Sequence, residues 1–208
     1  MYGYRNHIVL KTLLTAGLIL AGYGFGFAQT SFEARPESKV WIEGSSTVHD
    51  FDCKSDSIEG RAELPRVSTT EDTVSGSTEY DIEIRFPVKE FDCGRSRMNR
   101  DFYEALKADD FSDITFKFHG AERLDDVSEG EDYQLYEVTG ELSISGEIRE
   151  ISVQIKGKTS TENSTIRIFG SHQISMKDFG IDPPTAMMGM VKVHEELEVH
   201  FDLYVDQK

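Results

Sequence analysis

The sequence predicts an all-β domain carrying one short helix, and three observations predict it. Alternation of apolar and polar residues with a period of two recurs in about eight segments. Only the stretch from Ser96 to Ala108 places apolar residues at helical spacing. Glycine-bearing turns separate successive strands, without the regular strand-helix alternation of βαβ units. A sandwich and a barrel both satisfy this pattern, and periodicity does not choose between them.

The chain begins with a segment that reads as a secretory signal. Arg5, His7 and Lys11 form a basic start, Thr12 to Gly22 is mostly apolar, and Gly26 and Ala28 put small residues where signal peptidase reads. Cleavage is expected after Ala28, giving a signal peptide over residues 1–28 and a periplasmic or secreted protein. No Cys follows the apolar run to take a lipid anchor, and the glycines at 22, 24 and 26 shorten it as a membrane span. Stable membrane insertion is therefore not expected after signal removal. Residues 29–39, with Pro36 and several charges, read as a linker, and one domain is expected over residues 40–208.

Strands are expected in order from Val40 to Phe51, then through Ile58, Gly60, Ala62 and Leu64, which share one face. Tyr80, Ile82, Ile84, Phe86 and Val88 alternate over nine positions, and Pro87 marks a break in the ladder. The helix follows, with Met98, Phe102, Ala105 and Leu106 on one face. Further strands run through Ile114 to Phe118, Tyr136 to Ile144, Ile151 to Ile155, Ile166 to Met176 and Val193 to Val205. Between them, Glu122 to Asp132 holds six carboxylates in eleven residues. It reads as a solvated hairpin connection, because Asp125, Asp126, Glu129 and Glu131 do not follow calcium-loop spacing.

The 208 residues include thirteen Phe and carry a formal net charge of −16, or −18 once Arg5 and Lys11 are removed. Such a surface repels a phosphate backbone, so nucleic acid is not an expected partner. Cys53 and Cys93 are the two cysteines, both in the exported part, and a disulfide between them is expected, with a free buried pair as the alternative. Closing a loop of about 40 residues would contribute roughly 3–4 kcal/mol. His49, His119, His172, His194 and His200 are scattered, and no HExxH, CxxC or Gly-x-Ser-x-Gly pattern occurs. Neither catalytic residues nor a metal site is expected.

Several segments in sequence order resemble the YceI-like family. Trp41-Ile42 followed by Ser46-Thr47-Val48-His49-Asp50-Phe51 is similar to its opening strand. Phe86-Pro87-Val88, Met98-Asn99-Arg100-Asp101-Phe102 and Ala105-Leu106-Lys107 are similar to a later strand and its helix, with Phe111 to Phe116 at the place of an FPxIxF-like segment. Val138 to Gly146 resembles a VxGxLTIxG strand, and Asp178-Phe179-Gly180-Ile181 a DFGI loop. Their order and spacing over Val40 to Val205 carry the resemblance, since each motif alone is common. The Cys53 and Cys93 pair and the methionine-rich stretch 185–190 lie outside that pattern.

The resemblance implies an eight-stranded antiparallel lipocalin-like β-barrel that holds a long-chain lipid: a polyisoprenoid, an isoprenoid quinone or a fatty-acid-like amphiphile. Eight strands enclose a lumen just wide enough for side chains or one slender ligand. Inward candidates are Phe86, Phe102, Leu106, Phe116, Phe118, Leu142, Ile144 and Phe179, with Met187 and Met188 at an adaptable mouth. No cofactor is expected beyond such a bound lipid or quinone, and the partners admitted are that lipid and a second copy in a homodimer. The competing reading is an export-compartment stress or protein-interaction module with a filled barrel, using its acidic outer surface.

Overall fold

The computed structural model describes residues 34–63, 81–124, 132–159 and 165–206. The signal segment, Leu64, Tyr80 and the centre of the acidic 122–132 connection lie outside the described residues. Among the described residues ten strands and one α-helix occur in chain order. The strands are β1 (Lys39–Ser46), β2 (Asp50–Ser55), β3 (Glu59–Glu63), β4 (Asp81–Pro87), β5 (Asp113–Leu124), β6 (Gln134–Ile144), β7 (Glu147–Thr159), β8 (Thr165–Ser175), β9 (Thr185–Ala186) and β10 (Val191–Asp206). Helix α1 (Ser96–Ala105) falls between β4 and β5.

Every described pairing is antiparallel, and the strand order is β2-β1-β10-β8-β7-β6-β5-β4-β3, with the two-residue β9 beside β10. The two ends of this sheet are consecutive in sequence. Laid flat, nine strands would separate β2 from β3 by about 38 Å at ~4.8 Å per strand. The link of Asp56, Ser57 and Ile58 reaches at most about 14 Å. The sheet therefore curls round on itself, and the barrel is the solution to a chain-length constraint.

The seam is not closed by a β2–β3 ladder among the described pairings. Residues beyond β4 cross it instead: Lys54 and Asp92 exchange two backbone hydrogen bonds, of 2.9 and 2.8 Å, and Cys53 is disulfide-bonded to Cys93. The expected disulfide thus joins one edge strand to the segment next to the other edge. Cys53 is 1% exposed and Cys93 8%, so the bond is part of the core.

The segment Val40 to Phe51 was expected as one strand and is a hairpin. Ser46 turns the chain: its Oγ donates to the His49 carbonyl at 2.8 Å and accepts the Val48 and His49 N–H groups. A serine side chain competing for backbone partners ends a strand in this way, and together with β9 it raises the strand count above eight. Pro87 ends β4 as its missing donor requires, and a 3-10 turn over Val88–Glu90 follows. β5 continues to Leu124 through a bulge between Phe118 and Gly120, which shifts the alternation that marked its first half.

Helix α1 stops at Ala105 for a local reason. Lys107 takes a left-handed φ of 52°, its N–H reaches the Glu104 carbonyl at 3.1 Å, and Ala108 N–H reaches Tyr103 at 2.9 Å. That pair of bonds is a Schellman stop. Upstream, two described residues of the stretch expected as linker, Arg35 and Ser38, bond to β10. Arg35 N–H donates to the Tyr204 carbonyl at 3.0 Å, and buried Ser38 exchanges hydrogen bonds with the Tyr204 backbone.

The largest apolar cluster forms where α1, residues 88–93 and residues 176–181 pack onto the inner faces of β1, β2, β5 and β6. One interior glycine is sterically required. A Cβ on Gly140 would stand 2.4 Å from the Lys117 carbonyl oxygen and 2.5 Å from Cζ of Phe116. Gly140→Ala should lower stability by roughly 1–3 kcal/mol, measurable by chemical denaturation. Replacing both cysteines by serine should remove about 2–5 kcal/mol. An unchanged denaturation midpoint would contradict the role given to the seam.

Candidate functional site

A cavity of about 410 Å³ opens inside the barrel between α1, the β1–β2 hairpin, β10 and the turn after β8. Its walls follow from strand parity. Ile42 of β1, Phe51 and Cys53 of β2 and Leu197 of β10 share an inward face through the registers Ile42↔Cys53, Gly44↔Phe51 and Gly44↔Leu197. Helix α1 closes one side with Met98, Phe102 and Ala105, the face its spacing predicts. Buried Met176, Phe179 and Ile181 close another. Their turn is held by Ile181 N–H on the Met176 carbonyl and by Gly180 at φ 63°.

The wall made by α1 is anchored to the seam by two side chains. Asn99 accepts the Cys93 N–H at 2.7 Å and donates to Asp92 at 3.0 Å, while the Tyr103 hydroxyl donates to the Phe91 carbonyl at 2.7 Å. Asp92 also accepts the Gly94 N–H at 2.9 Å. The Asn99 hydrogen bond first, and the Gly94 amide second, hold the Asp92 carboxyl below its ordinary value of 3.8. Polar groups gather at the mouth: Ser46, His49, Arg95, Arg97 and Asp101 border it, beside Val48, Thr185 and Met187.

Of the residues expected to face a ligand, the cavity brings together Phe102, Leu106, Ile144, Phe179 and Met187. Phe86 and Leu142 are half-buried and pack against the apolar cluster without lining the cavity. Phe116 lies over Gly140, and Phe118 is half-buried opposite Gly140 in the ladder; neither lines the cavity. Met188 is fully exposed. Sequence reasoning missed Ile174 and Val193, which lie on correctly read strands, and Ile42 and Phe51, which lie on the two arms of the hairpin read as one strand. Parity assigns a residue to the inner face but not to a level along the barrel axis, and level decides who meets the cavity.

His49, weighed as a strand residue, sits in the β1–β2 turn and is exposed. Its backbone, through Ser46, makes the turn, and its side chain borders the cavity mouth. No helix among the described residues is long and apolar enough to cross a membrane.

Fold and site together define an antiparallel barrel with an apolar internal cavity capped by one helix. The YceI-like domain model matches residues 37–205, and the chain belongs to that family. Solved structures share the fold at low identity. A polyisoprenoid binding domain from Saccharophagus degradans, implicated in plant cell wall breakdown, aligns at TM-score 0.62 and 14% identity, over 86% of this chain and 98% of that one. BcnA of Burkholderia cenocepacia aligns at 0.60 and 16%, over 83% and 99%. A Campylobacter jejuni YceI protein aligns at 0.52 and 12%, over 75% and 84%. No curated protein sequence matches.

Because the Asp92 carboxyl is depressed, its contribution to anchoring α1 is complete above the ordinary carboxylate range and is lost as pH falls through the lowered value. Asp92→Asn should therefore flatten the loss of thermal midpoint on acidification below about pH 4. Parallel acid limbs for the two proteins would refute this anchoring.

Proposed function

We propose that this protein is a carrier that holds the apolar chain of a long-chain lipid inside its barrel, in a periplasmic or secreted setting, and that it binds rather than catalyses. The observation that carries this reading is the apolar cavity of about 410 Å³, within the roughly 300–1,000 Å³ range of small-molecule sites. A solidly filled barrel, as the interaction-module reading needs, would leave no such space. Support also comes from the family and from a fold shared with a domain described as polyisoprenoid binding.

Size narrows the ligand. Counting ~30 Å³ per heavy atom, the share of one water in the liquid, the cavity takes about a dozen carbons, or two to three isoprene units. At about 0.8 kcal/mol per buried CH₂ this offers roughly 10 kcal/mol gross, against association costs of 4–15 kcal/mol. A chain of that length is near the minimum that binds. The polar groups at the mouth then meet the remainder of a longer molecule, including its headgroup.

Two measurements test the proposal. Organic extraction of natively purified protein, followed by mass spectrometry, should release a molecule with a long apolar chain. For a homologous series of alkyl or prenyl alcohols, affinity should rise steeply up to about a dozen carbons and then level off. Ala105→Trp, which builds from α1 into the cavity, should lower affinity at least tenfold while the far-ultraviolet spectrum stays that of a β protein. Equal affinity for short and long chains, with no effect of Ala105→Trp, would place binding elsewhere or remove it.

A further inference from the structure

We propose that the mouth of the cavity is a membrane-docking lip that seats the barrel on an anionic lipid surface. This rests on the carrier reading for its purpose but not for its evidence. Among the described residues six large apolar side chains are well exposed, and four of them are Val48, Met187, Met188 and Met190, at 62%, 63%, 100% and 67%. Those four belong to one place. Val48 and Met187 border the cavity, the Met190 N–H donates to the Met187 carbonyl at 3.3 Å, and Thr47 Oγ1 donates to the Met190 carbonyl at 3.4 Å. The β1–β2 turn and the 187–190 turn therefore form two sides of one rim.

Two further features point to a lipid surface. Met187 and Met188 hold consecutive left-handed φ values of 51° and 57°, which cost a side-chain-bearing residue more than glycine. The chain accepts that cost to keep flexible thioether side chains pointing into solvent, where an isolated globule gains nothing from them. The charge at this rim also opposes that of the whole molecule. Exposed Arg95 and Arg97 border the mouth and exposed Lys192 sits behind Met190, in a chain of net charge −16. Asp101 at 3.8 Å offsets Arg97 only weakly. Apolar tips beside Arg95, Arg97 and Lys192 fit a bilayer with anionic headgroups, which attracts these cations in an otherwise net-acidic chain. A cargo chain would then pass from bilayer to cavity without crossing water.

Co-flotation of the purified protein with phosphatidylcholine vesicles, with and without phosphatidylglycerol, tests the lip. Binding is expected to the phosphatidylglycerol vesicles and should weaken with added salt. Arg95→Gln with Arg97→Gln should lower it about 25-fold, near fivefold per cation, and change binding to phosphatidylcholine alone little. Met188→Gly should lower it several-fold while the thermal midpoint holds or rises, since glycine relaxes the left-handed backbone and Met188 contacts no core. Absence of flotation, or flotation that both variants leave intact, overturns the lip. Extracted lipid without flotation removes the lip and spares the carrier reading; flotation of a protein that never yields lipid does the reverse. A protein partner at this rim would show as vesicle-independent complex formation abolished by Met188→Gly, and that also counts against a membrane.

Discussion

The seam of the barrel is the constraint from which the remaining architecture follows. A nine-strand path whose first and last strands are joined by three residues has to close, yet β2 and β3 do not complete the ladder between them. Open edges leave backbone donors and acceptors unpaired and invite foreign strands. Here the chain after β4 steps across instead, supplying the paired backbone bonds between Lys54 and Asp92 and the disulfide from Cys53 to Cys93. Because β4 lies next to β3, the far edge strand, one short segment ties the β2 edge to that end of the sheet.

The same segment positions the helix. Asn99 and Tyr103 grip residues 91–93 from one face of α1, while Met98, Phe102 and Ala105 on an adjoining face form a cavity wall. Seam, helix and cavity are thus one mechanical unit. Cys53 is at once a member of the disulfide and part of the cavity lining, so oxidation of the pair fixes a wall as well as a loop. Away from the cavity the interior is occupied by its own rings, as where Phe116 fills the space over Gly140, while Phe51, a ring of the cavity wall, lies over Gly44, where an added Cβ would meet it at 2.4 Å.

Much of this was legible in the chain because period-two alternation and helical spacing report local geometry directly. Tyr136 to Ile144 and Val193 to Val205 read as strands and are strands, and the Met98, Phe102, Ala105 and Leu106 stripe reads as a helix face and is one. What stayed hidden depends on contacts between distant residues or on side-chain competition within a turn. The Ser46 hydroxyl converts an expected strand into a hairpin, and Ser38, near the end of the stretch expected as linker, docks on the Tyr204 backbone. The candidate site divides along the same line. Inward orientation of Phe116 and Leu142 could be read from parity, but their distance from the cavity is a matter of strand tilt and register across several hairpins. Met188 reads as a mouth residue by composition; it is fully exposed on the rim beside Met187 and does not line the cavity itself.

The distribution of restraint around the cavity also bears on how a ligand enters. On the α1 side, a disulfide, two backbone bonds and the Asn99 and Tyr103 contacts act together, and loss of one is buffered by the others. On the opposite side, the 187–190 turn is held to the β1–β2 turn through Thr47 by exposed bonds of 3.0 to 3.4 Å to Lys192 and Met190. Exposed hydrogen bonds over few buried contacts open at the low end of a protein's stability range. Access to the cavity is therefore cheapest where the methionines are, and the covalently tied wall stays in place while the lip yields. On the proposed carrier reading, a chain would be admitted by local displacement of this turn, without unzipping any of the long ladders that maintain the barrel.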